Sequence, residues 1–307
     1  MKQNITMADK FGRRFKLTVE IDTPTDGKNA LEITSPLTIE LDIVRNTLSS
    51  LNTGTFRVYN LSETNRSLIF QNRYNISSIT NRKAVILQAG YGTVENKDSD
   101  LSTIFMGGIL EAYSYRQGTD IVTYINAQDG AIGAYNSNIN KTFAAGTSQK
   151  DIVSFMIDSL PDIAKGAIGA ITGTPKTSYT VNGNIFSNLT KSYKDEFFID
   201  NNVANILKQD EYIKTDEGIL LINSESGLLG TPLRQGFALS VDMLFEPKIK
   251  VGHIVEINSQ VNKKFNGQFK VMGLKHSGVI SDAINGDCST NLQLNVGTIQ
   301  SGGLSGV

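Results

Sequence analysis

The chain has 307 residues with a formal net charge of −1, 39% of them hydrophobic and 19% charged. That length holds one large domain or two to three small ones with sizeable cores, and the near-neutral balance excludes a broad basic surface for nucleic acid or anionic membrane. One cysteine, Cys288, excludes a disulfide framework and a thiolate metal cluster, and no apolar run approaches the roughly 20 residues of a membrane-spanning helix.

Plentiful glycine (28 residues) with Asn, Ser, Thr and β-branched residues favours strands and turns over helices. The first fifteen residues carry basic side chains but no apolar run behind them, so no secretory signal and cytoplasmic synthesis are expected. From about 12 to 135 the chain reads as strands. Phe15, Leu17, Val19 and Ile21 alternate with polar residues, and so do Leu37, Ile39, Leu41 and Ile43; each set buries one strand face. In Thr53–Phe70, alternating Phe56 and Val58 lead through Asn60-Leu61-Ser62 into a short helix carrying Leu68, Ile69 and Phe70. Ser62 is the natural N-cap, with Glu63 where the helix dipole favours a carboxylate. Lys83–Gly90 is a further strand, and Ile104–Tyr115 and Asp120–Asn126 pair across a turn at Arg116. A barrel or sandwich follows.

After Gly133 the pattern changes. Ser148 opens a helix whose Ile152, Phe155, Met156 and Leu160 share a face, and Pro161 stops it. Ala164–Pro175 reads as a surface loop; its Gly166, Gly169 and Gly173 lack the Gly-Lys-Ser/Thr of a phosphate-binding loop. A second helix is expected around Ile185, Leu189 and Tyr193, then two strands, Glu196–Asn202 and Val203–Leu207, around an Asn-rich bend. Glu217–Asn223 is a strand, 236–296 is strand-rich, and 297–307 reads as a flexible Gly/Ser tail.

The first and last segments echo each other. Val85–Leu87, Phe105-Met-Gly107, a long strand to Tyr115 and Ile121–Ile125 parallel Gly252–Ile257, Phe265-Asn-Gly267, a strand through Lys275 and Leu292–Val296. In both, Phe-x-Gly is expected just before the long strand. The expected fold is mainly β with a smaller α+β part: two similar tube-type β-barrel or sandwich domains, 1–138 and 230–307, flank a middle α+β domain, 139–229.

Glu256 follows His253 by three residues, which on a strand points the two side chains to opposite faces. His276, read in a turn without an acidic or thiol neighbour, is expected at the surface or hydrogen-bonded. No zinc site, nucleophile elbow or other catalytic, cofactor or metal site is expected. Asp210, Glu211 and Asp216 leave open a glycosidase pair, against the plainer reading of Asp210-Glu211 as a solvated turn.

The Asn60-Leu61-Ser62 turn after Phe-x-Val-Tyr resembles the N-terminal domain of baseplate hub proteins from contractile-tailed bacteriophages. The resemblance sharpens over 224–278: Gly227-Leu228-Leu229-Gly230-x-Pro232, then a run through Pro247 to Gly252, then Phe265, Gly267 and a His-x-Gly turn, in the order of the C-terminal half of those hubs. Mechanically, Gly227 and Gly230 permit a tight crossing, Pro232 limits pairing to an edge, and Pro247 and Gly252 frame the start of a short strand. The resemblance implies a structural, non-catalytic homotrimer in the virion tail baseplate, with no cofactor. Its ring would join the sixfold tail tube to the central spike, contact the tape-measure and other baseplate proteins, and leave a channel through which DNA passes without specific binding. A tail-associated cell-wall hydrolase and a receptor-binding tail module are the alternatives from other classes.

Overall fold

The computed structural model describes residues 10–25, 28–48, 50–72, 82–92, 101–215, 218–282, 284, 286–297, 299 and 303–304. The chain opens with β1 (Arg13–Thr25), β2 (Lys28–Thr34), β3 (Ile39–Asn46), β4 (Thr53–Tyr59), α1 (Glu63–Ile69), β5 (Ala84–Tyr91), β6 (Leu101–Gln117) and β7 (Asp120–Gln128). The expected alternation holds: Leu17, Val19, Ile39, Leu41, Ile43, Phe56 and Val58 are all buried in one cluster with Val85, Leu87 and Phe105. Ser62 caps α1, its hydroxyl accepting from the Asn65 N–H.

Then come α2 (Ala131–Asn136), β8 (Asn138–Phe143), α3 (Gln149–Asp158), β9 (Ala164–Ile168), β10 (Tyr179–Asn184), α4 (Ile185–Tyr193), β11 (Phe197–Asp200) and β12 (Val203–Ile206). Their core gathers Ile152, Val153, Met156 and Ile157 of α3, Leu189 of α4 and Phe197 of β11. Asn201 and Asn202 both take positive φ at the β11–β12 bend, which Asn tolerates best among residues with a Cβ. The expected loop at Ala164–Pro175 is corrected: its first five residues are β9, which pairs parallel with β12. Gly166 permits this, since a Cβ there would meet the Asn205 side chain that receives the Ala167 N–H.

The last part holds β13 (Leu220–Ile222), β14 (Leu228–Gln235), β15 (Ala238–Leu244), β16 (Ile254–Ile257), β17 (Gly267–Ile280) and β18 (Cys288–Asn295). Glu217, where the β13 strand was expected to begin, lies outside the described residues, as do residues 1–9 and most of the tail. One tail residue departs from expectation: Leu304 bridges Ile213, donating to the Tyr212 carbonyl and accepting from Lys214.

Among the described residues thirteen strands join in one sheet, whose central path runs β14-β15-β18-β17-β3-β4-β7-β6-β5-β1-β2, with β16 beside β17 and β13 beside β16. Within it, five strands recur in the same chain order, neighbour order and sense. β3-β4-β7-β6-β5 and β14-β15-β18-β17-β16 are both antiparallel throughout. The registers agree in detail. β6 shifts against β7 between Ile109 and Glu111, and β17 shifts against β18 between Val271 and Gly273. Ala84 pairs with Gly108 as Ile254 pairs with Lys270. Gly54, Phe56 and Val58 of β4 fall on Leu239, Val241 and Met243 of β15, and all are buried. Aligned this way, Phe105 falls on Gly267, not on Phe265. The two Phe-x-Gly stretches are thus two residues out of structural register, and the first lies inside β6 rather than before it. The repeat is carried by pairing and burial, which identity at two positions does not report.

Candidate functional site

The sheet that runs through both repeats has one face on the cores and one wet face. Side chains on the wet face form rows across the strands. Glu40, Arg57, Tyr124 and Tyr113 stand opposite one another on β3, β4, β7 and β6. Asp242, Asn291, Lys275 and Val44 do the same on β15, β18, β17 and β3. Cross-strand neighbours sit close enough to pair. Arg57 donates to Glu40 at 2.8 Å and lies 5.9 Å over the Tyr124 ring. Asn291 donates to Asp242 at 2.7 Å, and Lys275 forms an ion pair with Asp42 at 2.9 Å. The cations of these rows, Arg57 and Lys275, are held by carboxylates, and Asp242 and Glu111 add acid to the same face. Among the described residues it offers an anionic backbone no free basic row.

β3 of the first repeat pairs with β17 of the second over eight residues, from Asn46 opposite Gly273 to Ile39 opposite Ile280. This join makes the wet face continuous. Beneath it lies a buried polar junction that sequence reasoning missed. The Arg45 guanidinium, 1% exposed, grips both Asp200 oxygens at 2.7 and 2.5 Å and donates to the Ile104 carbonyl. Asn52 donates to the Ile199 carbonyl, and Asp129 accepts the Asn201 and Asn202 N–H groups at 2.6 and 2.8 Å. Burial and the Asp200 carboxylate push Asp129 up to about 7, against the main-chain donors that favour its charged form. The only sequence signal was Asp-Gly after a strand, which reads as a turn.

His276 corrects its sequence reading in one respect. It lies in β17, fully buried, rather than in a turn at the surface; its Nδ1 is 2.9 Å from the Thr290 hydroxyl, so the hydrogen bond was expected. Burial and nearby Arg45 hold it down at about 3. His253 is lowered to about 4 by burial and Lys250. Glu211 is not in a solvated turn: it is 3% exposed and its two oxygens accept the Ala170 and Lys208 N–H groups at 2.9 Å. A carboxylate so committed is a local clamp for β9. Asp216 lies outside the described residues. Among the described residues no His/Cys/Asp/Glu group could hold a metal ion, and no helix is long and apolar enough to cross a membrane.

The motif residues fall at turns and edges. Asn60 takes φ +60°; its side chain bonds Asp120 and the Ile121 N–H, tying the end of β4 to β7, and Leu61 is buried behind it. Gly227 takes φ +98° with Leu244 against it, and Gly230 takes φ +67° in open space. Leu228 packs on the last core, whereas Leu229 is exposed. Pro232 sits in β14, at the sheet's end, where a missing N–H is tolerated. Pro247 is buried after β15. Gly252, φ +80°, is hemmed by Ile213, Leu207 and Phe198, which belong with Val251 to the last core. Phe265 packs on the last core, and Gly267, φ +144°, begins β17.

Solved structures share this fold at low identity. The 43 kDa tail protein of prophage MuSo2 from Shewanella oneidensis matches with TM-score 0.54 and 8% identity, over 91% of this chain and 96% of that one. A tail protein from Neisseria meningitidis matches with TM-score 0.50 and 10% identity, over 93% and 97%. An Escherichia coli component of the type VI secretion system, described as structurally similar to T4 bacteriophage tail proteins gp27 and gp5, matches with TM-score 0.52 and 9% identity, over 90% and 76%. No curated protein matches the sequence. A family model described as "Baseplate hub gp41" matches residues 14–281, which carry the first repeat, the second except for β18, the join between them and the middle part. The chain belongs to the Baseplate hub gp41 family.

Proposed function

We propose that the chain is a structural hub at the centre of a contractile tail's baseplate, acting as a homotrimeric ring between the sixfold tail tube and the threefold spike. The supporting observation is the five-strand repeat whose two copies are already joined edge to edge at β3 and β17. Three chains around one axis would then present six similar units, which resolves a threefold-to-sixfold mismatch. Closed rotational symmetry is the usual form of homo-oligomers. In this reading the two repeats lie in the outer domains, 1–138 and 230–307, with β14 of the second beginning two residues before that boundary, and 139–229 is the middle domain. The motif glycines and prolines serve as structural turn and strand-edge residues, and the partners are the spike, tube, tape-measure and other baseplate proteins.

The wet face would line the channel. Its cations are paired and its remaining charge is acidic, so DNA would pass without being gripped. The protein needs no catalysis for this role, and the engagement of Glu211 with main-chain donors disfavours the hydrolase alternative.

The test is the solution mass by light scattering with imaging of the same sample. A mass near three times 33.4 kDa and a ring with a central hole are expected. A dimer overturns the reading; so does a chain that stays monomeric even when the spike protein is co-expressed.

A further inference from the structure

The strands from β8 to β12 stand outside the thirteen-stranded sheet, and the helices among them enclose a cleft of about 310 Å³. Buried Ile152, Val153 and Met156 of α3 line it, with Pro175, Tyr193 at the end of α4, and Tyr179 at the start of β10. Tyr179 is 45% exposed. Main-chain bonds fix one wall. The Gln149 N–H donates to the Gly173 carbonyl and the Gly146 N–H to the Pro175 carbonyl, each at 2.9 Å. The later half of the Gly-rich stretch is therefore held against the start of α3. Gly173 takes φ +131° there, and a Cβ on it would meet the Gln149 side-chain oxygen at 2.9 Å.

The cleft has little with which to orient a small polar molecule. Such sites place a few convergent polar groups among apolar walls. Here the Gln149 amide is spent on the Tyr193 hydroxyl, to which it donates at 3.2 Å, and no Asp, Glu, His, Lys or Arg is among the lining residues. Charge surrounds the cleft instead. Lys150, Lys176, Lys191 and Lys194 are exposed, and each adjoins a lining residue in the chain. None of them forms an ion pair among the described residues. The neighbouring acids are mostly engaged: the Ser148 hydroxyl donates to Asp151 at 2.7 Å, and Lys165 pairs with Asp158 at 2.8 Å. Only Asp195 stands against the lysines.

We infer that this cleft docks a short acidic segment of a partner protein. One large apolar side chain enters between α3 and α4, and carboxylates on either side of it meet the lysines. The size fits an anchor: clefts that enclose a whole ligand run from roughly 300 to 1,000 Å³, and this one is at the lower end. A buried anchor supplies affinity, while the surrounding charge supplies specificity and rate. The lysines lie beside the lining rather than in it, so the occupant extends past the cleft, as a peptide does. The site belongs to a single chain and does not rest on the ring.

The test uses the full chain and fluorescein-labelled peptides that carry a central leucine, phenylalanine or methionine between glutamates, read by fluorescence anisotropy. Controls put lysines around the same anchors, or alanine at the centre. At least one glutamate-flanked peptide is expected to bind with Kd below about 100 μM, about tenfold or more tighter than its controls. Ser192→Trp places a large ring at an exposed position of the lining. That variant, and the triple variant Lys150→Glu, Lys176→Glu, Lys191→Glu, should each weaken binding about tenfold or more with circular dichroism unchanged. The same charge change at Lys263 and Lys264, before β17, should leave binding as it was. No peptide binding below about 1 mM, or equal binding by the lysine-flanked set, overturns the inference. Binding that Ser192→Trp leaves intact overturns it too. Sodium oleate, an anionic head on an apolar tail, is the remaining probe; oleate binding without peptide binding assigns the cleft to an amphiphile and overturns the peptide. The mass of the assembly, measured on the same samples, tests the ring separately.

Discussion

At the scale of single residues, the buried charges decide most of what can be tested. Arg45 neutralises Asp200 and faces Asp129 in a site closed to water. Replacing it with methionine removes the cation and strands two carboxylates, an arrangement that costs about 3–5 kcal/mol. Urea unfolding of Arg45→Met should register that loss. The same site carries a pH signature. Asp129 titrates at about 7 in the fold and near the ordinary carboxylate value when unfolded, so the native state binds the extra proton between them. Its contribution is therefore full in acid and is lost as pH rises through 7. His276 works in the opposite direction. Held at about 3, it stays neutral in the fold while the unfolded chain takes up a proton, so its contribution is lost as pH falls below the ordinary histidine value. Thermal melts across this range should show Asp129→Asn flattening the neutral side of the profile and His276→Gln flattening the acid side. A profile unchanged by either variant would contradict the assignment.

Elements were legible where their signal was local. Ser62 and Ser148 cap the helices they were expected to cap, and the alternating strands from Phe15 to Val58 bury the expected faces. The Asn-rich bend at Asn201 and Asn202 is the turn its composition announced. β9 was not legible, because Gly166 is chosen by the close approach of Asn205 and Val203 rather than by apolar alternation. Gly252 shows the same logic. Its positive φ strains any residue with a Cβ, and three apolar side chain ends 3.2–3.3 Å from that position would have to shift, so Gly252→Ala should cost about 1–3 kcal/mol in urea unfolding. The buried Lys10–Glu246 pair, 2.9 Å long, ties the chain's first described residue to the segment after β15. Lys10→Met should lower stability by about 3–5 kcal/mol, and the double variant with Glu246→Gln should recover part of it.

For the whole molecule, the sheet is the functional unit. Its wet face pairs cations with acids at exposed positions, where such pairs contribute little to stability. Exchanging Arg57 and Glu40 should therefore change stability by less than about 0.5 kcal/mol. What the face controls, in the proposed ring, is passage. Replacing Asp42, Glu40 and Asp242 with lysine should turn a ring that ignores duplex DNA into one that retains it in a salt-dependent way, read by filter binding at rising salt. Retention by the unaltered ring would argue against the channel assignment.

The sequence by itself determined which face of each strand is buried, where helices begin and where the chain turns, because periodicity, caps and glycine angles are set within a few residues. It also carried the turn and edge motifs at Asn60, Gly227 and Pro232 that resemble baseplate hubs. Only the tertiary structure decided that β3 meets β17, that Arg45 finds Asp200, and that the two repeats align two residues away from their apparent sequence echo. The physical reason is that alternation specifies a strand's faces but is silent about its edges. Every strand offers the same row of N–H and C=O groups on both edges, and which of them meet is settled by packing across the whole chain.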